Sequence, residues 1–432
     1  MEVKAGYKWS EVGVIPEDWE VKPLHALADK IMVGIASAAT YAYRKKGIVL
    51  FRNQNIKPGY LDDSDILHIA PDYEVAFKNK RLKAGDLLTA RTGYPGTTCL
   101  VPPEHEGSQS FTTLITRPNE RAVNSGYLCC FINSNQGQTY FEQNQIGGGQ
   151  KNVNAGSLEH LPIPLPPTKA EQEAIAEALS DADALTESLE RLISKKRHLK
   201  QGAMQELLTG KRRLHGFEGA AMASKQTEVG LIPEDWQRVE IGGSVDLLTG
   251  FPFPSSGYSK SGVRLLRGSN VKRGVTDWSV EATEYWPAIT SKIRKYALEH
   301  GDIVIAMDGS LVGRSFAMLS DSDVPAVLLQ RVARMRSSSI DQKFLKAWIC
   351  SPRFTAHCDA VKTVTAIPHI SPADIRSFSV ALPPTKAEQT AIAAVLSDMD
   401  AEIAALEAKL AKARQIKQGM MYNLLTGRIR LE

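Results

Sequence analysis

The sequence predicts a mixed α/β protein built as an internal repeat. Two globular bodies are separated by a pair of long antiparallel coiled-coil helices and related by a pseudo-two-fold. Three observations predict it. The nonapeptide EVGVIPEDW at Glu11–Trp19 returns as EVGLIPEDW at Glu228–Trp236, with one Val/Leu change. A 50-residue block opening LPPTKAEQ at Leu165 returns at Leu382 with about 30 identical positions, and both recurrences share an offset of 217 residues. The block also carries a heptad pattern. Self-similarity of this extent at one offset marks a duplicated unit.

The first body is expected over residues 1–164 and the second over 228–381. Both are rich in Gly, Pro and Asn, with short apolar runs such as GIVLF, DLLTA, DIVIAM and AVLLQRV that read as strands between turns. Between their repeated ends the bodies share only echoes. LFRNQNI from Leu50 echoes LLRGSNV from Leu265, and GDLLTARTGYPG from Gly85 echoes GDIVIAMDGSLVG from Gly301. Near-constant tails and divergent bodies imply that the tails share one job while the bodies do the same kind of job on different things.

The tails, residues 165–214 and 382–432, read as helices. Pro166-Pro167-Thr168 and Pro383-Pro384-Thr385 open them. The prolines forbid a helix before them, and each Thr has a Glu three residues on (Glu171, Glu388), the capping-box spacing. Each ends at LLTG, with Gly210 and Gly427 at the position after the C-cap. In the second tail Ile392, Leu396, Met399, Ile403, Leu406, Leu410 and Ala413 alternate at four and three. The first matches with Ile175, Leu179, Ala182, Thr186, Leu189, Ile193 and Lys196. A helix of about 35 residues spans roughly 50 Å. Residues 215–227, rich in Gly, Ala and Ser, read as a linker. A two-fold relation between the halves would bring the C-terminus back near the N-terminus.

Composition narrows the class. Hydrophobic residues are 43% and charged residues 23%, as in soluble globular proteins. No window approaches 18 unbroken apolar residues, and the N-terminus lacks an apolar signal region. The five cysteines are odd in number and without a C-x-x-C, which disfavours a disulfide or zinc framework and points to a reducing cytoplasm. A net charge of +4 permits nucleic-acid binding without demanding it.

Polar loop clusters recur at similar places in both bodies. They are Arg52, Asn53 and Asn55; Arg91 and Tyr94; and Gln150, Lys151 and Asn152 in the first. In the second they are Arg267, Ser269 and Asn270; Ser310 and Arg314; and His369. Asn and Gln can form paired hydrogen bonds to adenine, and Arg or Lys to guanine. Each cluster alone also fits an ordinary turn, where Asn, Gly and Ser are common. Its recurrence in both bodies favours a reading surface. Neither a P-loop nor a dinucleotide fingerprint nor a nucleophile elbow is present, and the histidines lack metal-ligand spacing.

These motifs together resemble the specificity subunit of type I restriction–modification systems. The resemblance rests on the IPEDW entry to each half, the LPPTKAEQ helix opening, and the KQG…LLTG…RL helix end, all present twice. It implies two target-recognition domains, each reading one half of a bipartite, asymmetric double-stranded DNA target. It implies that the helices act as a ruler and dock two adenine-N6 methyltransferase subunits. Those subunits would hold S-adenosylmethionine, and a restriction subunit would join through the complex. This chain would supply sequence choice, with no catalysis, cofactor or metal of its own. The alternatives are the specificity subunit of a related type II system, or a non-DNA coiled-coil scaffold with two ligand-binding bodies.

Overall fold

The computed structural model describes residues 4–37, 40–144, 152–218 and 223–431. The chain divides into two compact units. One comprises Met1–Glu190 with Ala408–Glu432, and the other Arg191–Glu407. The duplicated tails form helices Lys169–Leu208 and Lys386–Leu424, of 40 and 39 residues, so each helix contributes to both units.

In the first unit a hairpin (Tyr7–Ser10 with Gly13–Pro16) precedes the buried Trp19. Strand Glu20–Pro23 pairs with Pro162–Leu165, so the chain enters and leaves the body side by side. One four-stranded antiparallel sheet runs Ala28–Val33, Leu114–Pro118, Leu87–Thr89, Thr98–Leu100. A second runs Gln109–Ser110, Ile48–Phe51, Leu67–Ile69, Tyr43–Arg44, its first pair parallel. The main core joins Trp19, Tyr127, Phe131 and Phe141 to Ile175 and Leu179 from the start of the first long helix. Leu424 and Leu425, from the end of the second, complete it.

The second unit repeats the plan. Hairpin Ser224–Thr227 with Gly230–Pro233 precedes Trp236, and Gln237–Glu240 pairs with Ser379–Leu382. The hairpin's outer strand lies inside the stretch expected to be linker, because residues 224–227 find four partners across the turn. A five-stranded sheet runs Asp246–Thr249, Val332–Arg336, Ile303–Ala306, Phe316–Met318, Arg273–Gly274. A three-stranded sheet runs Glu284–Trp286, Val263–Leu266, Ala326–Leu328. Ile303–Ala306 is buried at every position, which explains its unbroken apolar run. Its core combines Trp236, Phe344 and Trp348 with Ile392 and Leu396 from the second helix and Met204, Leu207 and Leu208 from the first.

The heptad positions are buried or half-buried in both helices, while most of their neighbours are exposed. Ion pairs link the two helices inside each unit. In the first, Asp183 meets Lys417, and Glu190 meets Arg414 at 2.6 Å. In the second, Lys196 meets Glu402 and Arg197 meets Glu407, both at 2.6 Å, and Lys200 meets Asp400. In the first unit the partner's number falls as the residue number rises.

The helix starts differ from the expectation in one respect. Thr168 and Thr385 accept the backbone N–H of Glu171 and Glu388 at 3.2 and 3.3 Å, as a cap should. The glutamates do not reach back. In the first unit Arg430 grips Glu171 through two nitrogens, one at 2.7 Å, and reaches Asp18 at 3.0 Å. In the second unit Arg213 grips Glu388 at 2.8 and 2.7 Å and Asp235 at 2.8 Å. A charged two-pronged bond outcompetes a local cap for the carboxylate. Gly210 and Gly427 sit at φ +67° and +65°, and a Cβ on either would press within 2.6 Å of Pro233 or Pro16. The repeated nonapeptide thus forms the seat on which a helix end closes.

Candidate nucleic-acid interface

Two matched turns define the candidate site, one in each body. In the first, the Arg52 N–H donates to Asn55 Oδ1 at 2.8 Å, and Asn55 Nδ2 donates to the carbonyls of Asp62 and Asp65 at 2.9 Å. In the second, the Arg267 N–H donates to Asn270 Oδ1 at 3.0 Å, and Asn270 Nδ2 donates to the carbonyls of Asp277 and Ala282 at 2.9 Å. Both asparagines are buried and their amides are fully engaged. They build the turn and offer nothing to a base, so the expectation that they read DNA gives way. Arg52 is half-buried and tied to Asp65, and Arg267 to the Ala282 carbonyl at 2.5 Å. Two residues lie inside each bracket, Asn53 and Gln54 in the first body and Gly268 and Ser269 in the second, and the second of each pair, Gln54 or Ser269, is exposed.

Around each turn the same segments gather. In the first body Asn53 Oδ1 accepts the Arg91 N–H at 2.8 Å, and Asn53 Nδ2 donates to Thr112 Oγ1 at 3.3 Å. The Arg91 carbonyl accepts the Val153 N–H at 3.1 Å, which seats Asn152 beside it. Arg91 is half-buried, and no partner of its guanidinium is seen among the described residues. Tyr94 is 83% exposed. Gln150 and Lys151 lie outside the described residues.

In the second body the Met307 carbonyl likewise accepts the Ile370 N–H at 2.9 Å, seating His369 against Asp308. His369 Nδ1 bonds Asp308 Oδ1, and Arg331 donates to Asp308 Oδ2 at 2.8 Å. Ser269, Asp308 and Arg331 line an open cleft of about 440 Å³ with Gly268, Gln330 and Ile367. Ser310 is exposed on its own turn. Arg314 faces elsewhere: it grips Asp359 at 3.0 and 2.6 Å and so ties the 308–314 loop to helix Pro352–Val361. Bonds from Arg314, then Lys362, hold the Asp359 carboxyl well below the usual carboxylate range. Arg314 thus anchors the loop.

Sequence reasoning missed Thr112 and Arg331. Both hold a left-handed backbone, at φ +52° and +66°, which non-glycine residues rarely adopt. Each sits opposite a glycine whose Cβ would collide with backbone, Gly34 against the Ser110 carbonyl and Gly250 against that of Leu329. No sequence signal marks either one, since Arg331 lies at the end of an apolar run that reads as strand.

Two adjacent basic side chains of the first body serve the fold. Arg81 pairs with buried Glu74 at 2.6 and 2.7 Å, and Lys80 donates to the Gly34 carbonyl at 2.9 Å. Burial pushes the thiols of Cys99, Cys130 and Cys358 up to about 12 and Cys350 up to about 11, and all five cysteines are free. Among the described residues no His/Cys/Asp/Glu group is placed to hold a metal, and no helix is long and apolar enough to cross a membrane.

The model of the type I restriction modification DNA specificity domain matches the chain twice, over residues 16–196 and 233–415. The chain belongs to that family. Two such domains in one polypeptide make it a specificity subunit of a type I restriction–modification system. The MjaVIII specificity subunit of Methanocaldococcus jannaschii is 28% identical over 97% of this chain and 94% of its own length. The EcoKI specificity subunit of Escherichia coli is 25% identical over 96% and 90%. The fold is shared with the type I S subunit from M. genitalium (TM-score 0.61, 13% identity, 98% of both chains). It is shared also with a chain from a study of type I complex assembly and conformational transition (TM-score 0.54, 18% identity, 96% and 99%).

Proposed function

We propose that this specificity subunit reads a bipartite, asymmetric DNA target, one half with each body, and leaves the chemistry to its partners. One observation carries the reading. The same buried asparagine bracket and the same left-handed position recur in both bodies, while the residues they present differ: Asn53, Gln54 and Thr112 against Gly268, Ser269 and Arg331. A constant frame with changed side chains is what two readers of different sequences require.

The long helices act as an antiparallel coiled-coil ruler. The opposed numbering of the Asp183–Lys417 and Glu190–Arg414 pairs supports that direction, as do the buried heptad positions. In this reading the domain map is two target-recognition domains, 1–164 and 228–381, each followed by a spacer helix. The helices also dock two adenine-N6 methyltransferase subunits, and through them the restriction subunit. The methyltransferases hold S-adenosylmethionine. Phosphate contacts would come from cations such as Lys45 and Lys46, which are exposed.

The test is a methylome. Host DNA is sequenced with and without the gene, by a method that detects N6-methyladenine. Loss of one split motif on deletion supports the reading. A continuous motif, or loss of several unrelated motifs, refutes it.

A further inference from the structure

We propose that Arg331 is the guanine-reading residue of the second body, with Asp308 and His369 as its positioning residues. The inference rests on the two-reader function above and names the chemistry of one half-site.

Arg331 stands on a backbone that only a tight surrounding can hold. Its φ of +66° is fixed from both sides: its carbonyl accepts the Met307 N–H at 2.9 Å, and the flanking Gln330 N–H donates to the Phe251 carbonyl at 2.9 Å. Residues held this way cluster at sites where position matters. The side chain is 69% exposed at the mouth of the 440 Å³ cleft, yet it is not loose, because Asp308 Oδ2 holds NH1 at 2.8 Å. His369 occupies the other Asp308 oxygen. The carboxylate therefore has both oxygens engaged. Its effect is to aim the guanidinium and limit its rotamers.

An arginine with one nitrogen braced and a remaining N–H edge exposed suits two parallel acceptors. In a DNA major groove that pair is O6 and N7 of guanine. A phosphate also accepts from arginine, but it selects no base. The equivalent position of the first body is Thr112, whose hydroxyl accepts from Asn53, so the two bodies differ in chemistry at their matched strained position. The guanine assignment belongs to the second half-site alone.

The full-length chain, co-expressed with its methyltransferase, is compared as wild type and Arg331→Gly. Glycine accepts the left-handed backbone, so the change removes the side chain without adding strain. The readout is the set of methylated sites. A split motif from the wild type establishes the underlying reading, and its absence overturns that reading before the variant is considered. The expected result is that preference for one G·C pair in the second half-site relaxes by roughly tenfold or more, with the first half-site unchanged as an internal control. Arg331→Lys, which keeps the charge but not the fork, should relax the same position, and it serves if the glycine variant fails to assemble. Asp308→Asn should relax it more weakly. Methylation that weakens evenly at every site with the motif intact makes Arg331 a phosphate contact and overturns the proposal. So does an unchanged motif.

Discussion

Asn55 and Asn270 show how one side chain can set a loop. Each closes three backbone groups with one amide, and each is buried. Replacing either with alanine strands those groups, at about 1–3 kcal/mol of stability. A urea titration of Asn270→Ala should show a lower midpoint, while one of Ser269→Ala, an exposed neighbour, should overlay the wild type. Asp359 provides a pH signature. Its folded carboxyl titrates below the ordinary 3.8, held by Arg314 and Lys362. Its contribution is therefore present above about pH 4 and fades as the pH falls through the lower folded value. Asp359→Asn should be less stable than the wild type at neutral pH, and the gap should narrow in acid. A gap that widened in acid would refute the assignment. Little of this was legible in the sequence. Asn, Gly and Arg in a row announce a turn, but which residue points inward depends on partners seven to twelve positions away. Arg331 was invisible, because backbone handedness at an arginine is imposed by strands from elsewhere in the body.

At the scale of elements the repeats were far more legible. Heptad spacing, a proline entry and a glycine exit gave both helices almost to their ends, because those signals are local. The glutamates were misassigned for the opposite reason. Their partners, Arg430 and Arg213, lie 259 and 175 residues away. These arginine forks explain why the nonapeptide and the helix end are duplicated together. Asp18 and Trp19 accept Arg430, with the guanidinium 5.8 Å from the indole ring, as Asp235 accepts Arg213. Glu171 and Glu388 are largely shielded, so Arg430→Ala or Arg213→Ala leaves a buried carboxylate without its partner. Because Arg430 itself is partly exposed, the cost is about 1–3 kcal/mol, below that of a fully buried pair. Differential scanning calorimetry should resolve two transitions and move only one with each substitution.

For the whole molecule the ruler makes a length prediction. Four residues inserted within 180–195 lengthen the helix by about 6 Å, close to two base pairs of DNA. The methylated motif should keep both half-sites and change its spacer. An unchanged spacer with full methylation would remove the ruler from the account. The division into units has a further consequence, for synthesis on the ribosome. Arg191–Glu407 is continuous and holds all its own core. The first unit needs Leu424, Leu425 and Arg430 to cover Trp19 and pair Glu171. The half translated first therefore waits for residues made after the other half is finished. A nascent chain that has emerged from the ribosome only as far as Glu407 would hold a complete second unit and a first unit whose tryptophan seat is still open to proteases and chaperones.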